Sequence, residues 1–227
     1  MILSKLFFEQ SPHDLAISLL GKILRHRYTE PASKCSYWLS AQIIETEAYY
    51  RKEKGSHSSL GFTQKRKAMF MPAGTIYMYY ARGGDSLNFS AKGQGNAVLI
   101  KSGYPYVDAT SPLANIALMQ TLNPPPNGRP ARSRAKLCSG QTLLCKALGL
   151  KVTRWNQNEM DPASFYLEDT GYSPNAIIQS TRLGIPKGRD EHLPNRFLDY
   201  DFAAYATSNP LTKRKAVLQK DYRILTL

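Results

Sequence analysis

The chain has 227 residues, 42% of them hydrophobic, with 14 Tyr and 8 Phe, a composition that supports the core of one large or two small globular domains. Its 30 basic residues outweigh 17 acidic ones, and the formal charge of +13 favours a polyanionic partner, most often nucleic acid. No apolar run approaches the ~20 residues a membrane span needs, and the start, MILSKLFFEQ, does not read as a signal peptide, so a cytosolic or genome-associated protein is expected.

In chain order, SPHDLAISLLG at 11–21 predicts a short helix, with Ser11 as cap, Pro12 in the first turn and Gly21 closing it. KILRHRY at 22–28 and WLSAQIIETEAYY at 38–50 predict strands, and the basic stretch at 51–68 an ordered surface loop. AGTIYMYYA at 73–81 is a third strand by its β-branched and aromatic content. ARGGDS turns the chain into LNFS, and NAVLIKS at 96–102 is the next strand. SPLANIALMQTL at 111–122 predicts a helix capped by Ser111. NPPPNGRPARSRAK at 123–136 excludes helix and central strand and reads as a mobile or irregular basic loop. A short helix at 141–148 ends at Gly149, strands follow at 164–169 and 176–185, and the tail from Asn209 is expected to be loosely held. Strands outnumber helices without alternating with them, so the expected fold is one α+β domain over residues 1–227, with a mainly antiparallel sheet.

Three cysteines (Cys35, Cys138, Cys145) form no CxxC pair, which argues against a disulfide framework and a cysteine-rich zinc site. The four histidines show no HExxH, and no HxE is followed by PCxxC, so zinc proteases and zinc nucleobase deaminases are poor candidates. GxGxxG and Walker loops are also absent. Basic residues cluster: from Ser86 to Asn158 the only acid is Asp108 against nine Lys and Arg, and 51–67 holds six basic residues and one acid. Interleaved Gly, Ser and Thr suit phosphate contact. On the strand at 42–50, alternation puts Ile44, Thr46 and Ala48 on one face and Glu45, Glu47 and Tyr49 on the other. Taken alone, that second face could simply be solvated. The following loop bears His57, and Tyr77 and Tyr79 share a face of the next strand. A slot walled by Tyr49, His57 and Tyr79, with a carboxylate at its end, would suit a flat heterocycle.

The motifs LFFEQSPHDLAISLLGKIL, IIETEAYY, GSHSS, KAMFMPAGTIYMYY, LNFSAKGQGNAVLIK, AKLCSGQTLLCKALGL, TRLGI and NRF, in this order and over nearly the whole length, resemble the alkyladenine (3-methyladenine) DNA glycosylase family. The resemblance implies a compact mixed α/β domain with a protruding hairpin, acting without metal or cofactor. It implies an enzyme of base excision repair that bends duplex DNA, wedges a probe residue into the minor groove and flips a damaged purine into a pocket. By that resemblance Glu47 is the general base, Tyr49, His57 and Tyr79 enclose the base, Asn88 clashes with the 2-amino group of guanine, Lys101 borders the site, and Gly93 and Gly95 form a GxG turn. A carboxylate near C1′ can stabilise an oxocarbenium-like state and activate water. Glu45, on the same expected face, is read as supporting structure. No lysine is expected next to the ETEAY motif, and the family is monofunctional, so an abasic site in an intact strand is the expected product.

The hairpin after Tyr79 departs from the family pattern: direct alignment puts Arg82 at the probe position, and a shifted gap would put Tyr80 there. TQKR at 63–66 and GQTLL at 140–144 also differ, so phosphate contacts are expected to shift to Lys65, Arg66 or Arg134. The expected partner is duplex DNA with damaged purines, bound by a monomer in the cytoplasm at the nucleoid, or in a nucleus. Two rivals remain: a non-catalytic nucleic-acid binder that keeps the fold, and an enzyme of RNA or free nucleosides.

Overall fold

The computed structural model describes all residues except Arg82, Gly128 and Leu227. Helix α1 (Pro12–Ser18) begins as its sequence predicts: the Ser11 hydroxyl accepts from the Asp14 amide, and Pro12 takes the first turn, where a missing N–H costs nothing. Strands β1 (Ile23–Thr29) and β2 (Ser36–Tyr49) pair antiparallel. They are followed by β3 (Ile76–Ala81), β4 (Gly84–Ser90), β5 (Ala97–Pro105), β6 (Phe165–Glu168), β7 (Ala176–Ser180), β8 (Arg196–Asp199) and β9 (Tyr222–Thr226). The helices between are α2 (Asn115–Leu122), α3 (Gln141–Leu148) and α4 (Val152–Trp155). All nine strands join one sheet, ordered β3-β4-β5-β2-β8-β7-β9, with β1 pairing both β2 and β6. Every pairing of these strands is antiparallel, as expected of a single α+β domain.

One face of the sheet buries Ile43, Ala48, Ile76, Met78, Phe89, Val98 and Ile100 against Leu15 and Leu19, at and beyond α1, and Leu144 and Leu148 of α3. This cluster is the main core. On the other face a small cluster holds Ile44, Ile178, Leu198, Ala203 and Ala206. Ile44 therefore does not share a face with Thr46 and Ala48, as simple alternation predicts. The cause is a bulge: against β5, Ile43 pairs with Gly103 but Glu45 with Ser102, so Ile44 is an extra residue. A second shift follows at once. Thr46 pairs with Ile100, which leaves Lys101 as the extra residue on β5.

Other expectations change too. Helix α2 starts at Asn115, because the Ser111 hydroxyl donates to Trp38 O instead of capping. The basic loop at 51–68 contains 3₁₀ segments at His57–Leu60 and Gln64–Phe70. Between β3 and β4 the turn is short, since Ala81 already pairs with Gly84. The expected strand at 176–185 stops at Ser180, and 181–185 leaves the sheet. The tail is not loose: Asn209 is buried in a capping box, and β9 adds to the sheet edge beside β7. Cys35 is exposed, Cys138 and Cys145 are buried, and all three are free thiols.

His26 is buried where β1 meets α3 and α4. Its Nδ1 lies 2.6 Å from Leu148 O, and its Nε2 accepts from the Trp155 indole at 3.3 Å. The carbonyl can only accept and the indole can only donate, so the neutral Nδ1–H tautomer satisfies both. Protonating Nε2 would set N–H against N–H, and burial already lowers the pKa of His26 to about 4. The unfolded chain then binds a proton at higher pH than the fold does, so stability is full above pH ~6.5 and falls as pH drops towards 4. By pH 5 this one group costs roughly 2 kcal/mol. Urea unfolding at pH 7 and pH 5 should show that excess loss in wild type and not in His26→Gln; equal losses would reject it.

Candidate active site

Five strands carry the floor of the site in register. Tyr77 pairs with Asn88, Asn88 with Leu99, Leu99 with Glu47, and Glu47 with Arg196. Directly opposed residues of an antiparallel sheet point to the same side, here away from the main core. Above this line lies a cavity of about 230 Å³, walled by Tyr49, His57, Tyr79, Lys101 and Gln141 and by the segment 183–186. The sequence-predicted aromatics do meet: the His57 and Tyr79 rings stand edge to face at 4.7 Å, and His57 Nδ1 is 2.9 Å from the Tyr77 hydroxyl.

Glu47 is fully buried and does not itself line the cavity; its three partners do. The Tyr49 hydroxyl donates to Oε2 at 2.7 Å, the Leu183 amide donates to Oε1 at 3.2 Å, and Lys101 Nζ lies 3.4 Å from Oε1. Three donors converging on two oxygens compensate for the loss of water around the charge. Burial and the neighbouring Glu47 charge push the Tyr49 hydroxyl well above its ordinary pKa, so it stays protonated and keeps donating. His57 moves the other way: burial, then the cations Arg66 and Arg189, lower its pKa and keep the ring neutral at pH 7.

Glu45 has a different setting. Arg196 Nε donates to it at 2.7 Å, the Thr207 hydroxyl at 2.7 Å, the Ser102 hydroxyl at 2.6 Å and the Thr207 amide at 3.1 Å. With its charge matched by Arg196 and both oxygens occupied, it is built as internal scaffold.

The loop bearing His57 is pinned to the turn between β4 and β5. The Ser58 hydroxyl donates to Gly95 O, the Arg51 amide to Asn96 Oδ1 and the Gly95 amide to Met69 O. Gly95 has φ +82°, and a Cβ there would meet Arg51 at 2.9 Å, so glycine alone lets the loop lie this close. The Asn88 amide donates to Tyr77 O at 3.0 Å, which restrains its side chain on the floor.

Several members of the site lie outside the sequence-based set. Arg182 lies 4.6 Å over the Tyr49 ring and donates to Glu53 Oε2 at 2.5 Å and to Ala48 O at 2.9 Å, bracing the back of the aromatic wall. Arg189 donates to Lys54 O, and Asp190 accepts from the Lys54 amide, which ties the segment after β7 to the segment after β2. In TRLGI a basic residue and a glycine hint at a loop, but nothing local marks Leu183 N as a carboxylate donor. Gln141, visible in the sequence only as a departure in GQTLL, bonds Lys101, Ser86 and Tyr79.

Of the residues proposed for phosphate contact, Lys65 is exposed and Arg66 is half-buried, donating to Gly61 O. Arg134 is turned inward: it donates to Pro105 O and lies over the Tyr104 ring. Tyr80 is 67% exposed, one position beyond Tyr79 on the hairpin. Arg82 lies outside the described residues. Among the described residues no group of three or more His, Cys, Asp or Glu is placed to hold a metal ion, and no helix is long and apolar enough to cross a membrane.

Comparison with known proteins adds a second line of evidence. The family model described as Methylpurine-DNA glycosylase (MPG) matches residues 6–218. A protein of Pseudomonas aeruginosa (strain UCBPP-PA14) named "Putative 3-methyladenine DNA glycosylase" is 57% identical over 219 residues, covering 96% of this chain and 88% of its own length. A protein of the same name from Pseudomonas fluorescens (strain Pf0-1) is 57% identical over 223 residues, 98% of this chain and 93% of the relative. Another, from Prosthecochloris aestuarii (strain DSM 271 / SK 413), is 28% identical over 215 residues, 93% and 95%.

Proposed function

This chain belongs to the methylpurine-DNA glycosylase family, hydrolases of N-glycosidic bonds, and from that premise we propose that it flips alkylated or otherwise damaged purines out of duplex DNA and hydrolyses their bond to deoxyribose with Glu47 as the base. The observation that carries this reading is the buried Glu47 carboxylate, held by three partners that themselves line an aromatic cavity.

The chemistry follows from the charges. A purine alkylated at N3 or N7 is already cationic and leaves as a neutral base, so one carboxylate suffices to stabilise the positive sugar and to take a proton from the attacking water. The walls suit such a base: Tyr49, Tyr79 and a neutral His57 offer π-faces to a cation, and stacking adds ~1–3 kcal/mol per base. Asn88, tied to the Tyr77 carbonyl, supplies the steric block against the 2-amino group of guanine. Lys101 is paired with Glu47 as an ammonium, and an ammonium has no lone pair to attack a sugar carbon. The expectation that no lysine lies next to the motif does not hold in space, where Lys101 comes within 3.4 Å of Glu47. The product is an abasic site in an intact strand.

The wedge that holds the DNA open is assigned to the hairpin, at Arg82 or Tyr80; Lys65, Arg66 and Arg134 are retained as phosphate contacts, Arg134 only if it leaves Tyr104. The net charge of +13 supports a DNA partner, reached as a monomer in the compartment that holds the genome.

The test is single-turnover base release from duplexes carrying hypoxanthine or ethenoadenine, and from methylated DNA releasing 3-methyladenine and 7-methylguanine. Release of at least one base with the strand uncut until alkali is added is the expected result. Cleavage without alkali would sink the monofunctional reading. In the same duplexes with a fluorescent base, Tyr80→Ala and Arg82→Ala should differ in flipping; equal, negligible losses would reject both as the wedge.

A further inference from the structure

Gln141 is the first residue of α3 and sits on the cavity wall, touching Lys101, Ser86 and Tyr79 at once. Its amide orientation is settled by chemistry. An ammonium can only donate, so the atom 3.1 Å from Lys101 Nζ is Oε1, and Nε2 faces the Ser86 hydroxyl at 2.8 Å and the Tyr79 hydroxyl at 3.4 Å. Ser86 and Tyr79 are cross-strand partners on the β3–β4 hairpin. One side chain thus links the hairpin, the aromatic wall and the cation beside Glu47.

Lys101 needs such an anchor. It is the extra residue of the bulge on β5, and two residues from Leu99, the partner of Glu47, it lies on the Glu47 side of the sheet. A lysine ends in a single charged point on a flexible four-carbon stem, and a contact of 3.4 Å to one carboxylate oxygen does not fix that point. Gln141 Oε1 is a second acceptor from a separate element, and between the two the ammonium is confined. The position of Gln141 is itself fixed, because α3 docks on the hairpin: a Cβ at Gly84 would meet Thr142 Cβ at 2.7 Å, so the helix start lies directly against the strand.

We infer that Gln141 is a positioning residue for the hydrolytic step, holding the Lys101 ammonium against Glu47 and coupling it to Tyr79 of the base-binding wall. The inference rests on the glycosylase reading of this site. It assigns to Gln141 no contact with the reacting atoms; it acts through Lys101.

A double-mutant cycle tests it. Gln141→Leu keeps the helix propensity with a side chain one bond shorter and removes all three hydrogen bonds. It should slow single-turnover base release about 10- to 100-fold, the scale for misplacing a group by an ångström, with DNA affinity changed less than about threefold because phosphate contacts set affinity. Lys101→Arg supplies a planar fork that can grip Glu47 with two hydrogen bonds and needs no second anchor. In the Lys101→Arg background, Gln141→Leu should therefore cost less than about threefold, a coupling that independent sites do not show. A merely structural Gln141 would give the same loss in both backgrounds, and that result overturns the inference, as does an unchanged rate in the single variant. Thermal unfolding monitors each protein, and Gln141→Met replaces the leucine variant in the cycle if the latter does not fold. Wild type that releases no base would overturn the glycosylase reading and this inference together. Wild type that is active with no coupling would overturn this inference alone.

Discussion

Glu47→Gln is expected to reduce base release by about 10²- to 10⁴-fold or more, the range a positioned acid–base group contributes, while duplex DNA affinity stays within a few-fold. The substitution keeps size and shape but changes the hydrogen-bond arithmetic. The carboxylate receives the Tyr49 hydroxyl, the Leu183 amide and the Lys101 ammonium, all donors. A carboxamide offers one oxygen and turns its own N–H₂ towards one of them. A stability loss of roughly 1–3 kcal/mol should accompany the catalytic loss, so the variant must be assayed at a temperature where circular dichroism shows it folded. Binding is measured by titrating a lesion-bearing duplex at fixed salt, since phosphate contacts dominate affinity. Release within tenfold of wild type would remove Glu47 from the chemistry. If wild type itself binds tightly and releases nothing, the chain is a non-catalytic binder that keeps the fold.

Glu45→Ala carries the second large effect, and it falls on stability. Glu45 and Arg196 are a fully buried ion pair, with Ser102 and Thr207 completing the carboxylate's hydrogen bonds. Removing one charge strands the other in the interior, at a cost of about 3–5 kcal/mol. For a domain of this size that lowers Tm by roughly 6–20 °C. Arg196→Met should cost a similar amount. The double variant should cost much less than the sum, because the penalty in each single variant is mainly the unpaired partner. Thermal melts of the four proteins decide the matter: additive losses would show that the two side chains do not act as a pair. The two acidic residues of ETE thus divide by environment. One carboxylate is matched to a cation and sealed, and the other is held by groups that face a cavity.

Much of this was legible in local pattern. Ser11-Pro12, the alternating aromatics of 76–81 and Gly149 after 141–148 specify α1, β3 and α3, because caps, strand alternation and left-handed glycines act within a few residues. The convergence of Tyr49, His57 and Tyr79 was also foreseeable: two follow from strand alternation and the third from the loop between the strands. The short strands β8 and β9 were not foreseeable, since RFLD and YRILT carry too little periodic signal and are strands only because β7 and β2 offer unpaired edges. The segment after Ser180 read as a continuing strand, yet it leaves the sheet to give Glu47 a backbone amide.

By itself, then, the amino-acid sequence determined the residue types of the site, the order of the motifs and the antiparallel α+β class, all of which follow from nearest-neighbour chemistry and side-chain period. Only the tertiary structure decided how those residues are aimed. Bulges in β2 and β5 move Ile44 off the face of Thr46 and turn Ser102 to Glu45, while the pairing of Leu99 with Glu47 sets Lys101, two residues further along β5, beside that carboxylate, and a bulge is a property of two strands in register, invisible in either alone. The same holds for Arg182 under Tyr49, Gln141 beside Lys101 and Arg196 against Glu45. Each joins residues at least 40 positions apart in the chain, and each forms because a charge or polar group withdrawn from water must find its partner wherever the fold places one.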